Sequence, residues 1–169
     1  KLSRNGVPMF LISANAAKNS QFNPRVVIST DDPIICDLAS QNNFEAISRT
    51  AYLNLDYAAK QDVIVDVCNS LWESEFYKPD FVISLQANSP GITSFIIDNA
   101  IKKFLSSKQV NGCRELVCIN PDGNQNGAIR IMNYRTVFQT TLSTYLNTIT
   151  YDLHDIHTLE DIIDFESAS

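Results

Sequence analysis

Apolar residues along the chain occur in two kinds of pattern that alternate. Short runs of β-branched residues predict strands, and apolar residues spaced three to four positions apart predict helices. Runs rich in β-branched residues predict two strands buried on both faces, RVVIST and FVISLQ, and further strands at FEAI, CRELVCI, GAIRIM and NTITYDL. Helical spacing predicts helices in PMFLISANAAK, IICDLASQNN, AAKQDVIVDVCNSLWESEF, SFIIDNAIKKFL, TVFQTTLSTYL and TLEDIIDFES. This order predicts an α/β fold with a mainly parallel sheet.

Three of the predicted helices begin at recognisable capping residues. Asp31 and Asp32 precede a proline, which suits the first helical position, and Thr93 opens the helix after NSPG. Thr158 and Asp161 have the spacing of a capping box, in which each side chain accepts from a backbone N–H of the first turn.

Composition predicts one domain, residues 1–169, and excludes several classes of partner. The chain has 44% hydrophobic and 19% charged residues, which is typical of a globular protein. A net charge of −6 argues against nucleic acid or an anionic membrane as partner. The four cysteines lack a CxxC spacing, so we expect free thiols and a cytoplasmic location. The first residue, Lys1, is not methionine, so we expect further residues upstream.

Polar clusters follow three of the predicted strands. They are Ser29 to Asp32, Gln86 to Ser89, and His154 to His157. Because ligands of open α/β sheets bind at the carboxyl ends of the strands, we expect the clusters to meet around one ligand.

The last cluster has two interpretations. HDIHTLEDI holds both histidines of the chain and an aspartate between them, which is compatible with a metal site. The local pattern favours the polar entrance to the final helix, although a cap needs none of His154, Asp155 and His157.

Taken together, the motifs resemble the acylneuraminate cytidylyltransferase family, which includes the CMP-sialic acid synthetases. They occur in the family's order over nearly the whole chain: Asn5-Gly6, VVISTDD (Val26 to Asp32), Arg49, LQANSP (Leu85 to Pro90), NGAI (Asn126 to Ile129) and DIHTLED (Asp155 to Asp161). The resemblance implies a Rossmann-like three-layer α/β/α fold of the nucleotide-diphospho-sugar transferase type.

The resemblance also implies a reaction and its partners. A hydroxyl of a nonulosonic or other keto-sugar acid would attack the α-phosphate of CTP, giving a CMP-sugar and pyrophosphate. Mg²⁺ or another divalent cation would help to neutralise the anionic reactants. A homodimer is the assembly that the resemblance implies.

Residue roles carry over position by position. Asp155 and His157 would be the catalytic metal ligands, Arg49, Gln86, Asn88 and Ser89 would contact the nucleotide, and Asn126 with Gly127 would contact the sugar. Each has a structural alternative: Arg49 as a surface residue, Gln86 to Ser89 as a loop that satisfies its own backbone groups, and Asn126-Gly127 as an ordinary turn.

The chain departs from the family pattern in several places. His157 stands where a second carboxylate is expected, and imidazole suits Zn²⁺, Cu²⁺ or Ni²⁺ better than Mg²⁺. Gly91-Ile92-Thr93 lacks the family's arginine, Asp56 to Lys60 lacks its hydroxyls, and Pro121 to Gln125 replaces a long arm that contributes to the dimer and the sugar pocket. The family's first strand and basic phosphate loop are also missing, which predicts a gap between RVVIST and FVISLQ.

Three functions therefore stay open from the sequence. The first is the cytidylyltransferase. The second is a non-catalytic relative that binds a nucleotide or a partner protein. The third is a nucleotidyltransferase with another base or a smaller acceptor.

Overall fold

The computed structural model describes residues 3–4, 6–49 and 59–167. The helices are α1 (Met9–Lys18), α2 (Pro33–Gln41), α3 (Lys60–Glu75), α4 (Ser94–Asn111), α5 (Tyr134–Val137) and α6 (Leu159–Ser167). The strands are β1 (Ser3–Arg4), β2 (Val7–Pro8), β3 (Val27–Thr30), β4 (Glu45–Ser48), β5 (Phe81–Leu85), β6 (Glu115–Ile119), β7 (Gln125–Asn133) and β8 (Leu146–Thr150).

The predicted α/β fold with a mainly parallel sheet is confirmed. β3 and β4 pair in parallel, and the main sheet has the order β5-β7-β6-β8. β6 and β8 pair in parallel, while β7 runs antiparallel to both β5 and β6. Three of the four strands in the main sheet therefore point the same way, and their carboxyl ends share one rim.

Helices cover both faces of the main sheet. Ile129 and Ile131 of β7 are fully buried in one apolar cluster with Ile97 and Phe104 of α4. Met132, the next position along the strand, packs on the opposite face in a cluster with residues of α3. This alternation with a period of two is what a strand covered on both sides requires.

The strands β3 and β5 are half-buried, so the prediction that both are buried on both faces is wrong. Within the described residues β3 pairs only with β4, and β5 only with β7. Each strand thus has an unpaired edge, and the two ladders form separate sheets, as the predicted gap requires. Strands at an edge cannot bury their apolar side chains as fully as central strands, and β6 is accordingly buried from Glu115 to Cys118.

The helix α1 packs against both the main sheet and the β3-β4 ladder. Its Ala17 belongs to the cluster that covers the main sheet, whereas Leu11 and Ala14 pack with Phe44 and Ala39 beside β3 and β4. Met9 packs with Ile156 and Ile162 near α6.

The predicted helix TVFQTTLSTYL is wrong over most of its length. α5 ends at Val137, and no helix follows before β8. Three threonines and a serine between residues 140 and 144 have poor helix propensity. In addition, the backbone N–H of Ser143 donates to the buried carboxylate of Glu115 at 2.7 Å, which takes this segment out of a helical hydrogen-bond pattern.

The other helix starts and the free thiols agree with the predictions. Asp32 caps α2 by accepting from the N–H of Ile34 at 2.9 Å, and Thr93 caps α4 by accepting from Ile96 at 3.3 Å. The four cysteines are free, and Cys68, Cys113 and Cys118 are buried. Burial raises the pKa of the Cys68 thiol to about 11. Across the described ranges, no helix is both long and apolar enough to span a bilayer.

Candidate functional site

Two of the polar clusters meet at the carboxyl rim of the main sheet. Gln86 follows β5 directly, and its Nε2 donates to Oδ2 of Asp155 at 2.5 Å. The Ser89 hydroxyl donates to the other carboxylate oxygen, Oδ1, also at 2.5 Å. Ser89 is fully buried, so its hydroxyl has no water to compete with this bond. The carboxylate of Asp155 is therefore held in one orientation by two neutral donors.

Backbone pairing brings the segment of Asp155 to this position. The N–H of Ile156 donates to the carbonyl of Asn88 at 2.8 Å, and Nδ2 of Asn88 donates to the carbonyl of Ile156 at 3.1 Å. Leu153 and Ile156 are buried on either side of Asp155. The side-chain amide of Asn88 thus joins two loops that are distant in sequence, which differs from the structural alternative of a loop that satisfies its own backbone groups.

Lys60 extends the cluster from the start of α3. Its Nζ donates to Oε1 of Gln86 at 2.6 Å. Gly127 lies beneath this contact: a Cβ added there would come within 3.0 Å of Gln86 Oε1 and 3.2 Å of Lys60 Nζ. With its φ of +71°, Gly127 also has a backbone conformation that suits glycine. Gln86 therefore joins a cation to a carboxylate through its two amide atoms.

Asn126 has internal partners for both of its side-chain polar atoms. Its Nδ2 donates to Oδ1 of Asn120 and to the carbonyl of Tyr151, each at 2.9 Å, and its Oδ1 accepts from the N–H of Ala128 at 3.1 Å. These bonds fix the turn that leads to Gly127. Contact between Asn126 and a sugar stays a prediction.

Arg49 lies on the smaller sheet. Its guanidinium donates to the carbonyl of Ser29 at 2.9 Å and to the Ser29 hydroxyl at 3.3 Å. These bonds tie the end of β4 to the end of β3, at the cluster that follows RVVIST. Its role as a nucleotide contact also stays a prediction.

The entrance of α6 contains the predicted capping box. Asp161 accepts from the N–H groups of His157 at 2.7 Å and Thr158 at 2.8 Å, and the Thr158 hydroxyl accepts from the N–H of Asp161 at 3.2 Å. The N–H of His157, followed by that of Thr158, lowers the pKa of the Asp161 carboxyl below its ordinary value. The side chain of His157 is exposed, and His154 lies 3.2 Å from Asp152 at the surface.

The donor set fits a hard cation only in part. No group of three or more His, Cys, Asp or Glu side chains that could hold a metal occurs among the described residues. Mg²⁺, however, is commonly held by one or two carboxylates together with substrate phosphates and water. Asp155 offers one such carboxylate, and its lone pairs are not all used by Gln86 and Ser89. The imidazole of His157 does not suit Mg²⁺.

Some predicted positions lie outside the described residues, and one contact was missed. Asn5 and Asp56 to Ala58 are not described. The sequence pattern presents Lys60 only as the last residue of a loop that lacks the family's hydroxyls, because nothing nearby distinguishes it from a solvated lysine at a helix start. The contact between Lys60 and Gln86 depends on tertiary packing. The sequence signal near this contact is the motif Asn126-Gly127, because a glycine permits close approach of the backbone.

A depression of about 420 Å³ lies away from this cluster. Residues 138–144 and Arg114 line it, at the ends where β6 and β8 begin. Because Gln86 and Asp155 follow the carboxyl ends of β5 and β8, this depression belongs to the opposite end of the sheet.

The fold is that of an α/β protein with a mainly parallel sheet, and the sequence comparison specifies the family. Residues 3–158 match the cytidylyltransferase family, so the chain belongs to the cytidylyltransferases. No curated protein matches the sequence significantly.

Solved structures share the fold at low identity. A CMP:2-keto-3-deoxy-manno-octonic acid synthetase complexed with CTP is 13% identical with a TM-score of 0.71, over 99% of this chain and 89% of its own. The 4-diphosphocytidyl-2C-methyl-D-erythritol synthase of Anaerococcus prevotii is 10% identical with a TM-score of 0.65, over 98% of this chain and 87% of its own. A cytidylyltransferase of Leptospira borgpetersenii is 18% identical with a TM-score of 0.57, over 80% of this chain and 53% of its own. At these identities the likeness supports the fold alone.

Proposed function

We propose that this protein transfers CMP from CTP to a hydroxyl of a keto-sugar acid and releases pyrophosphate. The observation that carries the proposal is the convergence of Gln86, Ser89 and Asp155 at one rim of the sheet. Family membership supports the nucleotidyl transfer, and the motif pattern of the sequence supports the sugar acid as acceptor. The acylneuraminate branch of the family is part of this proposal.

The proposed reaction depends on neutralising the negative charges of its two reactants and needs no covalent catalysis by the protein. The acceptor oxygen bonds to the α-phosphorus, and the bond from that phosphorus to the bridging oxygen of the β-phosphate breaks, so that pyrophosphate leaves. The proton of the acceptor hydroxyl passes to water. Both reactants are anionic, so cations and N–H donors must offset their repulsion before the oxygen can approach. The net charge of −6 gives the protein no general attraction for such ligands, and local groups have to supply it.

Asp155 is the residue best placed to anchor a divalent cation. A bound Mg²⁺ would supply Lewis-acid neutralisation of the phosphate oxygens. The hydrogen bonds from Gln86 and Ser89 hold the carboxylate ready, so little reorganisation is needed when the cation binds. In this proposal Arg49, Gln86 and Asn88 form the nucleotide side of the site, and Asn126 with Gly127 shapes the acceptor side.

Pyrophosphate release tests the proposed function. The protein is incubated with each of the four nucleoside triphosphates, Mg²⁺ and a panel of eight- and nine-carbon keto-sugar acids. We expect turnover with CTP, and a loss of at least about a hundredfold in D155N. Turnover with another triphosphate would point to a different base, and no turnover with any combination would refute the transferase.

One observation favours a second candidate, a relative that binds a nucleotide without turnover. His157 stands in a position where the family pattern has a carboxylate, and its side chain is exposed. The variant H157D separates the two candidates. The enzyme proposal expects Mg²⁺-dependent turnover that rises or persists in H157D. CTP binding without turnover in either form would support the non-catalytic candidate.

Two further features belong to this proposal. The four free cysteines suit a reducing compartment such as the cytoplasm. A homodimer, which the family pattern implies, is checked by light scattering of the purified protein.

A further inference from the structure

The cation of Lys60 is directed at the site and has no charged partner there. Its contact in the described structure is the neutral amide oxygen of Gln86, at 2.6 Å. No carboxylate among the described residues lies within ion-pair distance of its ammonium group. An ammonium group has three donors, so at least two remain for water or a ligand.

The other contacts described for basic side chains lead elsewhere. Arg25 binds Glu45 and Glu75, Arg130 binds Glu115, and Arg49 binds Ser29. Arg130 also binds Gln61. The contacts described for Lys18, Lys78 and Arg114 are with the aromatic rings of Phe44, Tyr134 and Tyr145. Residues 50–58, which precede Lys60, contain no lysine or arginine. Lys60 is therefore the cation that the described structure joins to Gln86 and Asp155.

The backbone of Gly127 closely approaches the contact between Lys60 and Gln86. A Cβ at residue 127 would come within 3.2 Å of Lys60 Nζ and 3.0 Å of Gln86 Oε1. The backbone of Gly127 thus lies directly against the ammonium group of Lys60. Lys60 is the first residue of α3, and Gln86 directly follows β5.

We propose that Lys60 is a phosphate-binding residue of this site, and this inference rests on the proposed function. When a nucleoside triphosphate binds, the ammonium group exchanges the amide oxygen of Gln86 for a phosphate oxygen. A phosphate oxygen is the stronger partner, because its negative charge adds Coulomb attraction for the ammonium group to the hydrogen bond. Gln86 keeps its bond to Asp155 through Nε2, so the carboxylate stays oriented during the exchange.

Equilibrium binding of CTP and of cytidine, both in Mg²⁺ buffer, tests this role by calorimetry. We expect K60M to weaken CTP binding by about ten- to hundredfold, and to leave cytidine binding unchanged because cytidine has no phosphate. The salt dependence of CTP binding should also become shallower in K60M, because one ionic contact is lost. The matched control is K102M, which removes an exposed lysine of α4 and should bind both probes like the wild type.

The outcomes distinguish this inference from the proposed function. If the wild type does not bind CTP, both fall. If the wild type binds CTP and K60M binds it equally well, only the role of Lys60 falls. If K60M loses CTP and cytidine to the same extent, Lys60 acts on the shape of the site and the phosphate contact is likewise overturned.

Discussion

At the scale of single residues, the orientation of Asp155 depends on a buried hydroxyl. Ser89 has no exposed surface and donates to Asp155 at 2.5 Å, whereas Gln86, the other donor, is partly exposed. A hydrogen bond to a charged group contributes more to stability than one between neutral groups. Ser89 therefore acts on the site by holding another residue, and the sequence interpretation of Ser89 as a direct nucleotide contact stays a prediction.

Replacement of the Ser89 hydroxyl should lower the free energy of unfolding and loosen the orientation of the Asp155 carboxylate. We expect S89A to lower the free energy of unfolding by about 1.5 kcal/mol, since a buried donor to a carboxylate is lost. Urea denaturation measures the change. Ser106, an exposed serine of α4, provides the control, and S106A should change the free energy by less than about 0.5 kcal/mol. Equal effects of the two substitutions would show that the Ser89 bond contributes nothing particular.

At the scale of elements, the start of α6 should make stability depend on pH. Asp161 has a lowered pKa because it accepts from the N–H groups of His157 and Thr158. Folding thus favours the ionised carboxylate, so its contribution is present above the ordinary pKa of 3.8 and is lost as the pH falls through the lower value of the folded state.

The variant D161N tests this dependence. At neutral pH we expect the wild type to be more stable than D161N, and the difference should shrink as the pH is lowered below about 3.8. Thermal unfolding followed by circular dichroism over a pH series gives the comparison. A difference that stays constant into the acid range would contradict the ionised cap.

Glu115 of β6 and Arg130 of β7 form a buried ion pair, and removal of one partner alone should lower the free energy of unfolding. Glu115 has no exposed side-chain surface, and Arg130 donates to it at 2.6 Å. The arginine also donates to Oε1 of Gln61 at 2.7 Å. We expect R130M to destabilise the protein by about 3–5 kcal/mol, because an uncompensated carboxylate stays buried.

A double variant identifies the cause of that loss. E115Q/R130M removes the buried charge but keeps an acceptor for the N–H of Ser143. It should be more stable than R130M in urea denaturation. If E115Q/R130M is as unstable as R130M, lost packing rather than the unpaired charge explains the effect.

At the scale of the whole molecule, the main sheet and the β3-β4 ladder should differ in local stability. β6 and β7 lie in the interior of the four-stranded sheet and contain fully buried residues. β3 and β4 form a two-stranded ladder with mostly half-buried side chains. Small ladders with partial burial open more easily than central strands.

Hydrogen exchange followed by mass spectrometry tests this difference. Peptides from β6 and β7 should exchange more slowly than peptides from β3 and β4. Equal protection of the two sheets would indicate that they open together in a single transition.

Local sequence patterns predicted most helices and strands correctly. Contacts between residues distant in sequence decided where a predicted helix ends and how deeply the strands are buried. The periodicity identified α4 and the strands around Gln86 and Asp155, and the capping signals at Asp32, Thr93 and Thr158 were correct. The predicted helix TVFQTTLSTYL fails beyond Val137 because the N–H of Ser143 donates to Glu115, which lies 28 positions earlier. The burial of β3 and β5 also depended on sheet order, which local sequence does not encode.

The helix α1 has unusually little freedom to vary. Its apolar residues lie in three separate clusters, and the hydroxyl of Ser13 donates at 3.2 Å to the carbonyl of Gln86. Small residues such as Ala14 and Ala17 let the helix sit close to both sheets at once. A bulkier side chain at position 14 would press on the cluster beside β3 and β4, and one at position 17 would press on the cluster that covers the main sheet. Substitutions that shift this helix would therefore also move Ser13, whose hydroxyl bonds the carbonyl of Gln86 at the carboxyl rim of the main sheet.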